Sequence, residues 1–201
     1  MNFVADSTKK SRVRGRPRRF DPEQAVAVAR ELFHARGYDA VSVSDVTDAL
    51  GINPPSFYAA FGSKQGLYAR VLEQYAVDGA IPYADILRED RSVAESLAIL
   101  LEEAARHYGT NPAAAGCLVV EGTRCNDVGA RDAALAYNIA AETQIRDYVA
   151  MRHPEAAASV TDFVATTMFG LSSKARNGHS LDQLLASARM AGSAIEFVLR
   201  E

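Results

Sequence analysis

Residues 42–64 read SVSDVTDALGINPPSFYAAFGSK, and this stretch decides the fold. Ser42 and Asp45 have the three-residue spacing of a capping box, in which each side chain satisfies an orphan amide of the other's helix turn. The helix they open is short, because Gly51 follows Leu50 and favours a stop. After the tight Gly51-Ile52 connection, Asn53 suits the cap of a second helix. Pro54 and Pro55 are tolerated in its first turn, where amides lack intrahelical acceptors in any case. Phe57 and Phe61 lie four apart and predict a core-facing edge. Gly62 closes that helix, and Ser63 caps the next. Two short helices about a tight turn make a helix-turn-helix pattern, whose later helix enters the major groove while the earlier one crosses the backbone.

Working outward, Asp21-Pro22-Glu23 predicts another helix start, with a cap, a first-turn proline and an acid at the positive dipole end. Ala25, Val28, Ala29, Leu32 and Phe33 carry its apolar stripe, and Gly37 is expected to end it in the left-handed conformation. The helix after Ser63 buries Leu67, Tyr68, Val71, Leu72 and Tyr75. Further helices are predicted over about 92–108, around 117–123, over 127–152, over about 155–176 and over 181–200, the last two joined by a turn at Asn177-Gly178-His179-Ser180. No stretch alternates with period two long enough for a strand, so the class is all-α. The organisation read from this is a basic flexible arm at 1–20, a helix-turn-helix DNA-binding domain at 21–66 and a helical bundle at 67–201.

Charge supports that division. The 201 residues hold 22 Lys and Arg against 25 Asp and Glu, a net charge of −3 that argues mildly against a nucleic-acid partner. The mean conceals an asymmetry. Residues 1–20 carry seven bases and one acid, residues 21–66 three bases and six acids, and residues 67–201 twelve bases and eighteen acids. A basic arm therefore precedes an acidic body. Two cysteines make no disulfide framework, no apolar run reaches the roughly 18 residues of a membrane span, and no apolar core follows the basic N-terminus as in a secretory signal. A cytoplasmic protein is expected.

The runs Gly37–Val46, Leu50-Gly51-Ile52 and Ser56–Lys64, with Arg14-Gly15-Arg16-Pro17-Arg18 ahead of the first helix, resemble the signature of the tetracycline-repressor (TetR) family over about residues 14–75. The chain departs from the common pattern at Val41, where Thr is frequent, and in the Asn53-Pro54-Pro55 helix start. The resemblance implies a homodimeric transcription regulator that binds a palindromic DNA operator, with a helical C-terminal domain that dimerises and holds a small-molecule effector. It implies most often a repressor released by that ligand. An activator or ligand-independent regulator is the alternative within the class, and an all-α carrier or enzyme the alternative outside it. No nucleophile–base motif or phosphate loop supports an enzyme, and no cofactor or metal is expected.

On the expected DNA face, Ser56 is placed to reach a base edge or a phosphate, or else to cap locally. Pro54 and Pro55 offer only apolar contact, for example to a thymine methyl, beside Asn53. The resemblance places Tyr58 on the DNA backbone. Lys64, unfavourable for the dipole in a first helical turn, suggests phosphate binding. Ser42 and Ser44 are further phosphate candidates, Ser42 equally a cap. Arg16 and Arg18 represent the arm, which either adds counterion-release affinity and minor-groove contact or is a solvated tail.

In the C-terminal part, the two closing helices carry apolar stripes from which a four-helix dimer interface is expected, through Phe163, Thr167, Leu171, Leu184, Ala188, Ala191, Gly192 and Ile195. Part of each stripe packs within the monomer. Tyr75, Tyr108, Cys117, Glu121, Tyr137, Asn138 and Thr167 are candidates for an effector cavity. Cys117 and Cys125 would lie ~12 Å apart along one helix, too far for a disulfide. The four histidines lack metal-ligand spacing.

Overall fold

The computed structural model describes residues 21–200, and every regular element among them is helical. The helices are α1 (Pro22–Arg36), α2 (Val43–Leu50), α3 (Pro54–Phe61), α4 (Lys64–Asp78), α5 (Tyr83–Ile86), α6 (Val93–Gly109), α7 (Leu118–Gly122), α8 (Val128–Ala150), α9 (Ala157–Arg176) and α10 (Leu181–Val198), with a 3₁₀ turn at Pro112–Ala114. The basic arm lies outside the described residues.

Short polar side chains start these helices as their chemistry dictates. Asp21 Oδ1 accepts from Glu23 N at 3.0 Å, Asn53 Oδ1 from Ser56 N at 2.9 Å and Ser63 Oγ from Gly66 N at 2.9 Å. Ser42 and Asp45 form the full reciprocal box, Asp45 N donating to Ser42 Oγ at 3.1 Å and Ser42 N to Asp45 Oδ2 at 2.7 Å. The Ser42 hydroxyl and the Arg36 guanidinium hold the Asp45 carboxyl well below the usual carboxylate range.

Three details differ from expectation. Gly37 ends α1 at φ 78°, ψ 160°, outside the left-handed helical region and in backbone space essentially restricted to glycine. Gly51, at φ 64°, ψ 34°, does adopt the left-handed helical form. The single-turn α5 has no side-chain cap and too few residues to show a period, so the sequence does not announce it. Finally, α7 ends at Gly122, so Cys117 and Cys125 flank it as free thiols rather than share one helix.

Two apolar cores organise the molecule. Phe33, Tyr38, Phe57, Leu67 and Tyr68 belong to the first, built from α1–α4, α7 and the start of α8. Leu97, Leu100, Leu101, Ile145 and Leu184 belong to the second, built from α5, α6, the end of α8, α9 and α10. The 23 residues of α8 join both, with Ala130 and Ala134 in one core and Ile145 and Val149 in the other. The helix-turn-helix is thus seated on the bundle by continuous packing through α4.

The expected dimer stripe needs correction. Leu171, Leu184, Ala188, Ala191, Gly192 and Ile195 are all buried within the single chain. The small residues of α10 admit α6, its principal neighbour, rather than a second protomer. A Cβ at Gly192 would lie 2.9 Å from Ala98 Cβ, and one at Gly109 would lie 2.9 Å from Leu184 Cδ1. Phe163 stays 42% exposed, and Thr167 is half-buried with its hydroxyl donated to Phe163 O at 2.8 Å. The outer face left by α9 and α10 carries Met190, 77% exposed, and Phe197, 74% exposed.

Candidate nucleic-acid interface and ligand cavity

α2 and α3 are only eight residues each, so the core beneath them fixes what they present. Phe57 and Phe61 turn inward, as their spacing predicts. The opposite face of α3 presents Pro54, Pro55 and Ala59, with Tyr58 51% exposed and its ring edge-on to Phe57 at 5.3 Å. Ser56 is half-buried, its hydroxyl donated to Asn53 Oδ1 at 2.8 Å, so in this conformation it serves the local cap. Ser44 is exposed on α2, with a long 3.4 Å contact to Asp48 Oδ2. Not one side chain of α3 is charged.

The three cations of residues 21–66 already have partners. Arg30 pairs with Asp78, and Arg36 with Asp45 at 2.9 Å. Lys64 donates to the carbonyls of Tyr38 at 3.1 Å and Val41 at 3.0 Å, and its Nζ stands 3.9 Å from the Tyr38 ring centroid. This supplies the reason for a base in a first helical turn: the ammonium ties the α1–α2 connection to α4. In this conformation those two bonds give Lys64 a positioning role within the chain. Arg16 and Arg18 lie outside the described residues.

Behind the DNA-facing unit, a cavity of about 350 Å³ opens between α4, α5, α8 and α9. Of the expected lining residues, Tyr75, Tyr108, Cys117, Tyr137 and Asn138 do line it. Glu121 and Thr167 do not. Glu121 is held by Arg176 at 3.2 Å and Arg124 at 3.1 Å, and Thr167 sits on the outward side of α9. Tyr83, Glu142 and Met168 line the cavity without having been expected. For Glu142 a signal existed: it is four residues after Asn138 on α8, and Asn138 Nδ2 donates to Glu142 Oε1 at 2.7 Å. Burial pushes the hydroxyl pKa values of Tyr75, Tyr83 and Tyr108 up, so all three remain neutral.

One strap joins this cavity to the DNA-facing unit. Cys117, in the cavity wall, donates its N–H to Ser172 Oγ on α9 at 2.9 Å. Its neighbour Gly116 presents its carbonyl to His34 Nε2 of α1 at 3.1 Å, and Arg176 of α9 donates to the His34 carbonyl at 2.8 Å. Tyr75 Oη meets His107 Nε2 at 3.2 Å on the same wall. Burial lowers the His34 pKa to about 4, so its imidazole is neutral near pH 7.

The model for bacterial regulatory proteins of the tetR family matches residues 25–71, from the first turn of α1 to the middle of α4. The HTH-type transcriptional repressor BdcR of Escherichia coli (strain K12) is 61% identical over 193 residues, covering 96% of this chain and 98% of its own. The chain belongs to the TetR family. It is a helix-turn-helix transcriptional regulator in which α2 and α3 form the motif. A second relative, the HTH-type transcriptional repressor ComR of the same organism, is 29% identical over 202 residues, covering 92% of this chain and 94% of its own. Among solved structures, a cysteine mutant of the TetR family transcriptional regulator CifR, in complex with 26-bp double-strand operator DNA, superposes with a TM-score of 0.78. It is 33% identical, and the match covers 89% of this chain and 99% of that one. No helix among the described residues is long and apolar enough to cross a membrane.

Proposed function

We propose that the protein is a cytoplasmic transcriptional repressor, not an enzyme, which binds a palindromic operator as a homodimer and is released by a small-molecule effector. The observation that carries this reading is the outward face of α3: Pro54, Pro55 and the half-exposed Tyr58 stand clear of the core while Phe57 and Phe61 anchor it. A recognition helix in the major groove needs that division. The relatives named repressors and the operator-bound neighbour support it. Residues 21–66 form the DNA-binding domain in this reading, and residues 67–201 the effector and dimer domain.

Positioning contact then falls to Tyr58 and Ser44 on phosphates, and sequence-reading contact to Pro54, Pro55 and a released Ser56 hydroxyl at base edges. Asn53 and Ser42 hold the two helix starts in register. Because the cations of residues 21–66 are engaged, the arm's seven bases, Arg16 and Arg18 among them, supply most of the counterion release. The dimer forms through the exposed outer face of α9 and α10, with Phe163, Met190 and Phe197 at its centre. Effector binding in the cavity acts on α1 through the strap at Gly116 and Cys117.

Fluorescence anisotropy of the full chain on duplex DNA from its own upstream region, across salt concentrations, tests the reading. Deleting residues 1–19 should shrink the salt slope by several phosphates' share, at about 0.9 per phosphate, and leave the dimer intact. A slope unchanged by the deletion would remove the arm from the interface.

A further inference from the structure

Among the described residues, the cavity wall is aromatic, apolar and without a basic side chain. Tyr83, Tyr108, Tyr137 and Phe169 contribute rings, and the polar groups reaching it are phenols, one thiol, two amides and the Glu142 carboxylate. Arg30, which is not among the lining residues, stacks 5.3 Å from the Tyr75 centroid and is paired with Asp78. His107 lies behind Tyr75, and burial lowers its pKa. An anion entering this space would leave water with no positive partner and would meet a carboxylate, a combination that burial penalises heavily. A cation would meet the negative faces of tyrosine rings and one opposite charge.

Resting on the reading of this cavity as the effector site, we infer that its ligand is a small aromatic or alkyl organic cation, an amine or quaternary ammonium. Glu142 determines the charge preference. Asn138 Nδ2 bonds one carboxylate oxygen, Oε1, at 2.7 Å and so orients the group, leaving Oε2 to face the ligand's positive end. Tyr83, whose hydroxyl pKa is raised by burial and also by the Glu142 charge, and Tyr137 line the same cavity. The volume of about 350 Å³ falls at the low end of the range of roughly 300–1,000 Å³ for small-molecule sites, which limits the ligand to one aryl group and a short chain.

Three probes on one arylalkyl frame test this: a trimethylammonium, its neutral tert-butyl isostere and the carboxylate. The full chain has eight tyrosines and no tryptophan, so tyrosine fluorescence reports binding directly. The ammonium should bind about tenfold or more tighter than the isostere, and the carboxylate weaker than either. Glu142→Gln keeps an amide oxygen for Asn138 and should remove most of the ammonium's advantage while leaving the isostere unchanged. Equal or tighter binding of the carboxylate or the isostere to the unaltered protein overturns the inference, as does binding of none of the three. An ammonium preference undiminished in Glu142→Gln overturns it too. Operator release, measured in parallel, separates the two readings. Glu142-dependent ammonium binding that leaves operator affinity unchanged keeps the ligand class and removes the effector role. Operator release by the isostere or the carboxylate alone keeps the effector role and removes the ligand class.

Discussion

At the scale of single residues, His34 and Lys64 show how side chains of the DNA-facing unit serve its attachment. His34 is buried between the Gly116 carbonyl and α4, and its pKa falls from 6.5 to about 4. The unfolded chain therefore binds a proton that the folded chain refuses. The stability His34 contributes is complete above pH 6.5 and is lost as pH falls toward 4, by about 3 kcal/mol in all. Urea unfolding between pH 7.5 and 4.5 should show that slope, and His34→Gln should flatten it to the part left by His107 and the carboxylates. A variant with an unaltered slope would place the pH dependence elsewhere. Lys64 makes two carbonyl hydrogen bonds, so Lys64→Ala should cost about 1–3 kcal/mol of stability. Its DNA affinity should fall without change in salt slope. A slope reduced by about 0.9 would instead return Lys64 to a phosphate.

At the scale of elements, most helix starts were legible because a cap is a local event. Ser42, Asn53 and Ser63 bond amides three residues onward, and nothing distant competes with them. The partner of a helix face is not local, which is why the α10 stripe misled. Leu184, Ala188 and Ile195 have the spacing of an interface, but α6 of the same chain occupies it. Gly192→Val tests that contact. Its added carbons meet Ala98 Cβ and Cα, which cannot yield as a flexible side-chain end would, and thermal unfolding should show a loss of about 1–3 kcal/mol. The outer face makes the opposite prediction. Phe163→Asp with Phe197→Asp should convert the dimer to monomer by light scattering while leaving the helical circular dichroism intact. A doubly substituted protein that remained dimeric would move the interface off α9 and α10.

For the whole molecule, the charge balance and the two cores tell one story. The −3 of the complete chain divides into a basic arm of seven bases and one acid, joined to a described body whose helix-turn-helix cations are already engaged. The motif and the fold class were legible in residues 42–64 because capping and core spacing recur within a few turns. Most of the cavity's aromatic wall was legible as residue types. Its carboxylate carried only the four-residue spacing from Asn138, and its floor at α5 carried no signal, since a single uncapped helical turn shows no period. The central claim is that α3 reads DNA from a symmetric dimer. Selection of duplexes from a random library by the full-length protein, followed by sequencing, tests it most directly. An inverted repeat whose two half-sites lie about one helical turn apart, centre to centre, should be enriched, and Tyr58→Ala combined with Pro55→Asp should abolish that enrichment. Enrichment of a single unpaired half-site, or of nothing at all, would contradict it.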